Sequence, residues 1–258
     1  MRLLKVKINN IRQIKKDVYL ISFVSNYIAK KAHPGQFLHI KIKDTLLRRP
    51  FSIHNVDGKN IYVLFKIKGI ATRRLANYKK GELLDVLGPL GKGFSFKGKG
   101  KYILIAGGMG VAPLYFLGKR LISQDFLKIV ILGARTKKEI LYDKEFKDLG
   151  YRVFVTTEDG SRGFKGRVDE QLKELIDYER EPLNLYACGP KGMFKSLALI
   201  VKEKSFIDME FSFEQFMGCG IGVCCACVIL TNQGYKKVCK DGPVFNLKNF
   251  DQNALDML

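Results

Sequence analysis

Five of the six cysteines in this sequence lie close together near its C-terminus. Cys219, Cys224 and Cys227 have the spacing C-x4-C-x2-C, and Cys239 follows after eleven further residues. This is the plant-type spacing for a [2Fe–2S] cluster, in which four thiolates converge on a small rhomb of two irons and two sulfides. A tight loop supplies three thiolates and a separate turn supplies the fourth. The spacing therefore predicts that these four cysteines ligate a [2Fe–2S] cluster.

The residues between the cysteines fit the same interpretation. Gly220 and Gly222 let the backbone curl around a cluster without clashes of a β-carbon. They also let backbone N–H groups point at the sulfur atoms, which stabilises the reduced form of the cluster. Cys225 directly follows Cys224 and would break the spacing if it were a ligand. We expect Cys225 to be a non-ligand that packs under the loop.

Two other uses of clustered cysteines fit less well. Zinc sites with four cysteines usually contain two C-x2-C pairs, and here only Cys224 and Cys227 form one. A disulfide framework is a poor match because the cysteines crowd into one segment. The N-terminal residues alternate like a strand and lack the apolar core of a signal peptide. We therefore expect a cytoplasmic protein whose cysteines bind a cofactor or remain thiols.

Length and composition set limits on the class of protein. The 258 residues suffice for two ordinary domains and a small appendage, and 47% of them are hydrophobic, so a globular core is expected. No apolar run is long enough to span a bilayer. The formal charge of +20 raises the possibility of nucleic-acid binding. The lysines are spread along the chain without a binding motif, so we expect neither a nucleic-acid nor a membrane partner.

The pattern of apolar residues predicts three successive parts. Residues 1–97 contain short alternating strands separated by turns, which is typical of an N-terminal antiparallel β-barrel. Residues 98–205 alternate buried strands with helix-length segments, which predicts a parallel α/β nucleotide-binding domain. The first of those helices is expected to reach about Ser123. From Phe206 the alternation stops, so residues 206–258 are assigned to a small C-terminal [2Fe-2S] module.

Both larger parts carry motifs that suit phosphate groups. Arg49 could make a forked contact with a diphosphate and Ser52 could bind the edge of a flavin ring. The glycine-containing turn that leads to Thr72 could bind a phosphate, although an ordinary helix cap fits equally well. In the α/β part, Gly107, Gly108 and Gly110 follow a buried strand and open a helix. This context suits a pyrophosphate cradle, and a glycine turn used only for strand–helix packing fits equally well.

Three motifs in the first part resemble the ferredoxin–NADP reductase superfamily. They are Arg-Pro-x-Ser at 49–52, Gly-x-x-Thr at 69–72 and Gly-Pro-Leu-Gly-x-Gly-Phe at 88–94. In that family a β-barrel binds FAD and the following α/β domain binds a nicotinamide dinucleotide. The resemblance implies that FAD is contacted by Arg49, Pro50, Phe51, Ser52, Leu64, Phe65, Lys66, Ala71 and Thr72. Ala71 departs from the glycine usual there and would be strained if that position needed a positive φ.

Cys188, Gly189 and Pro190 resemble the Cys-Gly-Pro turn of the same superfamily. The resemblance implies that the Cys188 thiol lies beside the nicotinamide and flavin N5, where a small side chain lets the two rings stack. A buried structural thiol is an equally good interpretation of the sequence alone. Glu158 and Asp159, at the end of a strand, favour NAD over NADP because acidic side chains accept from a ribose 2′-hydroxyl, although they could equally be turn-forming residues. Arg135 and Lys137 weakly favour NADP instead, because a cationic side chain can bind its 2′-phosphate.

These parts together predict electron transfer. A nicotinamide exchanges two electrons at once and a cluster exchanges one, so a flavin that does both must lie between them. The motifs Met-x-Cys-Gly-x-Gly-x-Cys at 217–224 and Cys-x-Asp-Gly-Pro-Val-Phe at 239–245 are very similar to the electron-transfer subunits of NAD-dependent (class B) dihydroorotate dehydrogenases. In that family the partner is an FMN-containing catalytic subunit that oxidises dihydroorotate, and two copies of each subunit form a heterotetramer. The resemblance implies FAD, a [2Fe–2S] cluster and NAD as cofactors and pyrimidine biosynthesis as the pathway.

Two alternatives remain open. The small subunits of NADPH-dependent sulfide dehydrogenase and of ferredoxin–NADP transhydrogenase share this layout, although their cluster loops usually depart from the one seen here. A zinc-bearing nucleic-acid-binding protein is favoured by the charge of +20. It is opposed by the cofactor motifs and by the absence of aromatic residues interleaved with basic clusters.

Overall fold

The computed structural model describes residues 1–96, 100–122 and 126–257. The predicted boundary at residues 97 and 98 and the predicted helix end at Ser123 lie outside the described residues. Two seven-stranded sheets and one small hairpin form the framework. No helix in the described ranges has both the length and the apolar character that crossing a membrane requires.

The strands and helices follow one another in the order expected of a barrel followed by an α/β fold. The first part contains β1 (Arg2–Lys15), β2 (Val18–Val24), α1 (Asn26–Lys31), β3 (Phe37–Lys41), β4 (Arg49–Ser52), β5 (Asn55–Asp57), β6 (Asn60–Lys66), α2 (Ile70–Ala76) and β7 (Leu83–Leu90). The second contains β8 (Lys101–Gly107), α3 (Val111–Arg120), β9 (Lys128–Ala134), α4 (Asp143–Asp148), β10 (Arg152–Thr157), β11 (Phe164–Lys165), α5 (Val168–Ile176), β12 (Leu183–Cys188), α6 (Lys191–Val201) and β13 (Ile207–Ser212). The last contains β14 (Val228–Thr231), β15 (Gly234–Lys237), β16 (Val244–Asn246) and α7 (Gln252–Asp256).

The first sheet is antiparallel and has the order β4-β3-β7-β1-β2-β6-β5. The two edge strands, β4 and β5, are consecutive in the chain and are joined by a short bend. Because β4 pairs with β3 and β5 pairs with β6, this bend closes the sheet into a barrel. Side chains at alternate positions, such as Ile21, Phe23, Ile61 and Val63, are fully buried inside it. The period-two pattern of the sequence therefore produces the predicted antiparallel barrel.

The second sheet has the order β11-β10-β9-β8-β12-β13-β16 and is parallel except for its last strand. Strand β12 is buried along its whole length, as expected for a strand covered by helices on both faces. The chain moves outward in one direction from β8 to β9 and β10, and in the other from β12 to β13. Such a reversal leaves a crevice at the carboxyl ends of β8 and β12, where ligands bind in open α/β sheets.

The predicted change of character at Phe206 is displaced in the structure. Residues Ile207–Ser212 form β13, which pairs in parallel with β12 along its whole length. The division at residue 205 therefore falls before the last parallel strand rather than after it. The C-terminal part also returns β16 to this sheet, antiparallel to β13. The next regular element after β13 is the strand β14 and not a helix, so the strand–helix rhythm in the sequence ends one strand earlier than the sheet does.

A buried histidine joins the barrel to the α/β part. His54 follows β4 and is 1% exposed. Its Nδ1 lies 2.9 Å from the carbonyl oxygen of Ala112, at the start of α3. The imidazole stacks on Tyr115 at 5.0 Å and meets Tyr142 edge-on at 4.6 Å. Burial lowers the pKa of His54 to about 4, against a favourable contribution from the Ala112 carbonyl, so the ring is neutral near pH 7.

We predict that His54 makes the folded protein less stable in mild acid. The pKa is lower in the folded than in the unfolded chain, so the unfolded chain binds the proton more readily and stability falls as the pH drops below 6.5. At pH 5.5 the loss is about 1.4 kcal/mol. His54→Gln keeps a donor for Ala112 but does not titrate. Urea unfolding at pH 7.5 and 5.5 should therefore show a smaller acid loss in the variant than in the wild type, and an equal loss would contradict the prediction.

Candidate redox site

One large cavity of about 900 Å³ lies where the barrel, the α/β part and the C-terminal part meet. All nine residues that the sequence assigned to FAD line it: Arg49, Pro50, Phe51, Ser52, Leu64, Phe65, Lys66, Ala71 and Thr72. The predicted Cys188, Gly189 and Pro190 line it as well. Its volume suits a large dinucleotide cofactor, since ligand pockets commonly measure about 300–1,000 Å³.

Strand β4 brings the first group of predicted residues to the cavity wall. It pairs with β3 so that Ser52 lies opposite Phe37 and Pro50 opposite His39. Phe37 is 3% exposed and also lines the cavity. The Arg49 guanidinium donates from one nitrogen to the carbonyls of residues 47 and 48 at 2.7 and 3.1 Å. These bonds hold its stem while the remaining N–H donors stay available for a phosphate.

The second group is positioned by the start of α2. The Thr72 hydroxyl accepts hydrogen bonds from the backbone N–H groups of Lys68 at 2.9 Å and Gly69 at 3.1 Å. Gly69, rather than Thr72, is the N-cap residue. Ala71 lies inside the helix, and its φ is not positive. The strain considered for alanine at this position therefore does not arise.

The cavity wall is strongly basic, which suits pyrophosphate groups. Four basic residues line it: Arg49, Lys66, Lys68 and Lys191. The acidic residue in the described lining is Glu214. Lys68 lies 3.5 Å from Glu214, and both side chains are well exposed, so this ion pair across the cavity contributes little energy. The excess of positive charge attracts anionic dinucleotides into the cavity.

The predicted glycine cradle plays a packing role in the structure. Met109 lines the cavity, whereas Gly107, Gly108 and Gly110 are absent from its described wall. A β-carbon at Gly110 would lie 1.8 Å from the carbonyl oxygen of Cys188, and one at Gly107 would lie 2.8 Å from Pro190. These glycines thus allow the first turn after β8 to approach the Cys-Gly-Pro turn after β12. Their contact with a pyrophosphate stays a prediction.

The Cys188 thiol is positioned deep in the wall. Cys188 ends β12, is 3% exposed and lies opposite Ser212 in the pairing of β12 with β13. Burial raises the pKa of the thiol, and the nearby Glu214 carboxylate raises it further. Cys188 therefore remains a neutral thiol, which suits a small spacer beside stacked rings and not a nucleophile.

The four predicted cluster ligands come together as two pairs. The backbone N–H of Cys219 lies 3.4 Å from the sulfur of Cys224, and that of Cys239 lies 3.4 Å from the sulfur of Cys227. Within the described ranges, no three His, Cys, Asp or Glu side chains are gathered closely enough to hold one metal ion. Two separated pairs match a rhomb in which each iron takes two thiolates.

Backbone N–H groups surround the sulfur atoms of this loop. Those of Ile221, Val223 and Cys224 point at the Cys219 sulfur at 3.3–3.4 Å, and that of Gly222 points at the Cys239 sulfur at 3.1 Å. This donor set fits a cluster, because it stabilises thiolates and the reduced form. The positive φ of Gly220 and Gly222, 72° and 85°, provides the curl expected at these two positions.

The thiol pKa values at the two ends of this segment are shifted in opposite directions. Burial alone would raise the pKa of the Cys219 thiol, but the N–H groups of Cys224, Ile221 and Val223 outweigh it and lower the pKa to about 6. Burial, together with the neighbouring Cys227, raises the pKa of Cys239 to about 12. A metal that displaces the thiol protons is needed to charge Cys239 near neutral pH.

The expectation that Cys225 packs under the loop is wrong. Cys225 is exposed and has a φ of 55°, in the left-handed region. Its thiol lies 3.8 Å from the carbonyl oxygen of Val223. Its side chain is therefore accessible to solvent and is not packed under the loop. Its assignment as a non-ligand stays a prediction.

Sequence reasoning missed the wall that the C-terminal part supplies. Ser212, the stretch 213–217 and Pro243 line the cavity, and Phe194 of α6 lines it beside them. Met217 therefore links the cavity to the cluster loop, since Cys219 follows it by two residues. The signal was the apolar character of Phe213, Phe216 and Met217 just before the cysteines, but only the fold shows that they face the cavity.

Family models match two parts of the chain. Residues 214–251 match the iron–sulfur cluster binding domain of dihydroorotate dehydrogenase B, and residues 104–198 match an oxidoreductase NAD-binding domain. The electron transfer subunit of dihydroorotate dehydrogenase B (NAD(+)) from Bacillus cereus strain Q1 is 41% identical over 250 residues, covering 92% of this chain and 93% of that protein. This chain belongs to that family of electron-transfer subunits. The counterpart from Bacillus mycoides strain KBAB4 is 42% identical over 251 residues, with the same coverage of the two chains.

Solved structures agree with this family assignment. A chain of the NADH-dependent reduced ferredoxin-NADP oxidoreductase, determined to study flavin-based electron bifurcation, has a TM-score of 0.85 and is 30% identical, covering 97% of this chain and 91% of that one. A ferredoxin NADP+ reductase from Neisseria gonorrhoeae has a TM-score of 0.66 at 16% identity, covering 83% and 100%, and shows the fold alone. The predicted superfamily, fold class and set of cofactors, FAD, [2Fe–2S] and NAD, are thereby confirmed.

We predict that Gly110→Ala disrupts use of NADH but leaves FAD bound. The added β-carbon would overlap the Cys188 carbonyl, so the end of β12, which carries the Cys188 thiol, must shift. A displacement of about 1 Å can lower a rate roughly a hundredfold. NADH-driven reduction of a small dye should fall accordingly while flavin content stays unchanged. Gly192→Ala in α6 is the matched control, because nothing lies within 4 Å of its added carbon, and a normal rate in Gly110→Ala would contradict the prediction.

We predict that Cys225→Ser keeps a wild-type iron–sulfur absorption and EPR spectrum. The exposed side chain takes no part in either thiol pair, so replacing sulfur with oxygen leaves the ligand set intact. Cys227→Ser is the matched control and should lose the spectrum, since that thiol is buried in the second pair. A bleached Cys225→Ser protein would mean that the ligand set is wrong.

Proposed function

We propose that this subunit carries electrons from a dihydroorotate-oxidising partner, through its [2Fe–2S] cluster and FAD, to NAD+. The observation that supports this order most directly is the shared cavity. Its wall contains the barrel residues assigned to FAD, the Cys188 turn assigned to the nicotinamide, and Met217 at the start of the cluster loop. A flavin in that cavity lies between the other two redox groups, as electron counting requires.

The residues of the chain have separable roles in this scheme. Arg49, Lys66 and Ser52 line the cavity. Arg49 and Lys66 would hold the FAD pyrophosphate, and the Ser52 hydroxyl would orient the flavin edge. Phe37 and Phe213, both nearly buried, keep water away from the ring. Cys188 leaves room for the nicotinamide to approach. Bound FAD supplies two-electron exchange with the nicotinamide and one-electron exchange with the cluster.

The face through which electrons enter is the exposed side of the cluster loop. Cys224 is exposed, and its neighbours Ile221 and Val223 are 39% and 74% exposed. Exposed apolar side chains around a redox group suit a protein partner, since docking removes both them and the cluster from water. The relatives are named as subunits of dihydroorotate dehydrogenase B, so the proposed partner is its catalytic subunit. We propose that this partner contains FMN, that the assembly holds two copies of each subunit, and that it works in the cytoplasm.

The contacts near the α/β edge support NAD as the acceptor. Arg135 makes a two-pronged contact with Glu139 at 3.2 and 2.6 Å, so its guanidinium is already paired. Asp159 accepts from the backbone N–H of Ser161 at 2.9 Å and keeps its negative charge at this edge. A 2′-phosphate would therefore meet a carboxylate and a neutralised arginine.

A second candidate is the small subunit of an NADPH-dependent sulfide dehydrogenase or ferredoxin–NADP transhydrogenase. The observation that favours it is the TM-score of 0.85 with the NADH-dependent reduced ferredoxin-NADP oxidoreductase chain. The identity of 41–42% to dihydroorotate dehydrogenase subunits, against 30% to that chain, favours the first candidate.

Anaerobic stopped-flow separates the two candidates. The purified subunit is mixed with the dihydroorotate dehydrogenase catalytic subunit and driven once by dihydroorotate and once by NADPH. The proposed function requires dihydroorotate to reduce FAD and cluster only when the partner is present. Rapid reduction by NADPH, with no response to dihydroorotate, would replace it with the second candidate.

We predict that Cys224→Ser separates the two halves of the pathway. Loss of a thiolate from the exposed pair removes the cluster, while the FAD residues on the barrel are untouched. Reduction of a small dye by NADH should stay within about twofold of wild type, and electron transfer from the partner should fall by roughly a hundredfold or more. A folded, FAD-containing variant that no longer reduces the dye would contradict this modular arrangement.

A further inference from the structure

His39 lies under the cluster loop, on a strand that also forms the flavin cavity. It is in the middle of β3, opposite Pro50 of β4 and Leu87 of β7, and its exposed fraction is 0%. The loop comes down on its ring at Gly220, where an added β-carbon would lie 2.5 Å from Nδ1. The imidazole is therefore sealed between the barrel and the loop that carries the predicted cluster ligands.

Both nitrogens of this ring lack a hydrogen-bond partner within the part of the chain that the structure describes. The backbone of Cys219 lies beside the ring without reaching hydrogen-bond geometry. Buried polar groups are nearly always paired, and leaving one unpaired destabilises the folded protein. A buried N–H facing a cofactor loop thus points to an acceptor that belongs to the cofactor.

The charged neighbours of His39 are already occupied with one another. Arg48 pairs with the Asp85 carboxylate at 2.7 Å, and it donates to the backbone carbonyl oxygens of His39 at 3.3 Å and of Asp85 at 3.1 Å. These contacts hold the backbone of β3. The backbone of Arg48, like that of Cys219, lies beside the imidazole without reaching hydrogen-bond geometry with it. The side chain is therefore free to serve the loop on its other side.

We propose that the His39 imidazole donates an N–H hydrogen bond to a sulfur of the bound [2Fe–2S] group and so acts as a positioning residue that favours the reduced cluster. The inference rests on the proposed cluster site. The other donors around the sulfurs are backbone groups of the loop itself. His39 adds a side-chain donor from the barrel, and a donor to sulfur stabilises the additional negative charge of the reduced form.

The same strand connects this donor to the flavin. Phe37 and His39 are two residues apart, so both side chains lie on one face of β3, roughly 7 Å apart along the strand. Phe37 lines the cavity and His39 contacts the loop. One rigid segment thereby sets both the cavity wall and the place of the cluster.

The test compares His39→Leu, which keeps the volume but removes the donor, with His39→Gln, which keeps an N–H donor. Both are prepared anaerobically as the full chain with FAD and cluster, and the cluster potential is measured by EPR-monitored titration. We expect His39→Leu to disfavour the reduced cluster about tenfold, which corresponds to about 59 mV for one electron. His39→Gln should recover part of this shift. His33→Gln, at an exposed histidine, is the matched control and should leave the potential unchanged.

A spectroscopic readout covers a leucine variant that fails to assemble. In wild-type protein with 15N-labelled histidine, pulsed EPR of the reduced cluster should show a 15N coupling that His39→Gln removes and His33→Gln retains. An unshifted potential in a fully loaded His39→Leu protein, equal shifts in the leucine and glutamine variants, or no 15N coupling in the wild type would each overturn the proposal. None of these measurements uses dihydroorotate or the partner, so their failure is distinguishable from failure of the proposed function.

Discussion

The turn formed by Gly242 and Pro243 is clamped between the barrel and the parallel sheet, and the position of the cluster relative to the flavin cavity depends on it. The Gly242 carbonyl accepts from the backbone N–H of Lys92 at 2.6 Å, and the Pro243 carbonyl accepts from that of Phe213 at 2.9 Å. A β-carbon at Gly91 would lie 2.6 Å from Gly242 and Pro243. Because Pro243 also lines the cavity, this turn is common to all three parts of the chain.

This clamp explains why the C-terminal part is attached at two points. Strand β16 follows the turn directly and pairs with β13, the last parallel strand of the α/β sheet. The stretch before the cysteines also leaves from β13, so both ends of the cluster segment start from one rigid sheet. Packing of Phe213 against Phe245 at 5.9 Å and Phe250 at 5.3 Å closes the space between them. Because the segment is anchored at both ends, a cluster bound to it would stay at a fixed distance from the flavin cavity.

Local signals in the sequence were sufficient for the parts of the site that depend on spacing. The cysteine spacing predicted three thiols on one curled loop and a fourth on a separate turn, and the structure brings these four together as two pairs. The family resemblance implied nine FAD residues, all of which line one cavity. Long-range pairing was beyond those signals. The predicted boundary at residue 205 separates β13 from the sheet it joins, because the next regular element is a strand and not a helix. Cys225 was placed inward because a positive φ at a cysteine has no signature in the sequence. Met217 and Pro243 line the cavity because the chain leaves β13 just before Met217 and returns to pair with β13 just after Pro243.

Two buried histidines show why burial alone does not assign a role. His54 and His39 are both almost completely buried, and burial lowers the pKa of each, so both rings are neutral. His54 has a carbonyl partner at 2.9 Å and two aromatic neighbours, so its polar edge is satisfied by the fold itself. His39 has the same chemistry and no such partner among the residues described. An unpaired buried N–H destabilises the folded protein. A cluster sulfur that accepts a hydrogen bond from His39 would explain why a histidine occupies this position beside the cluster loop.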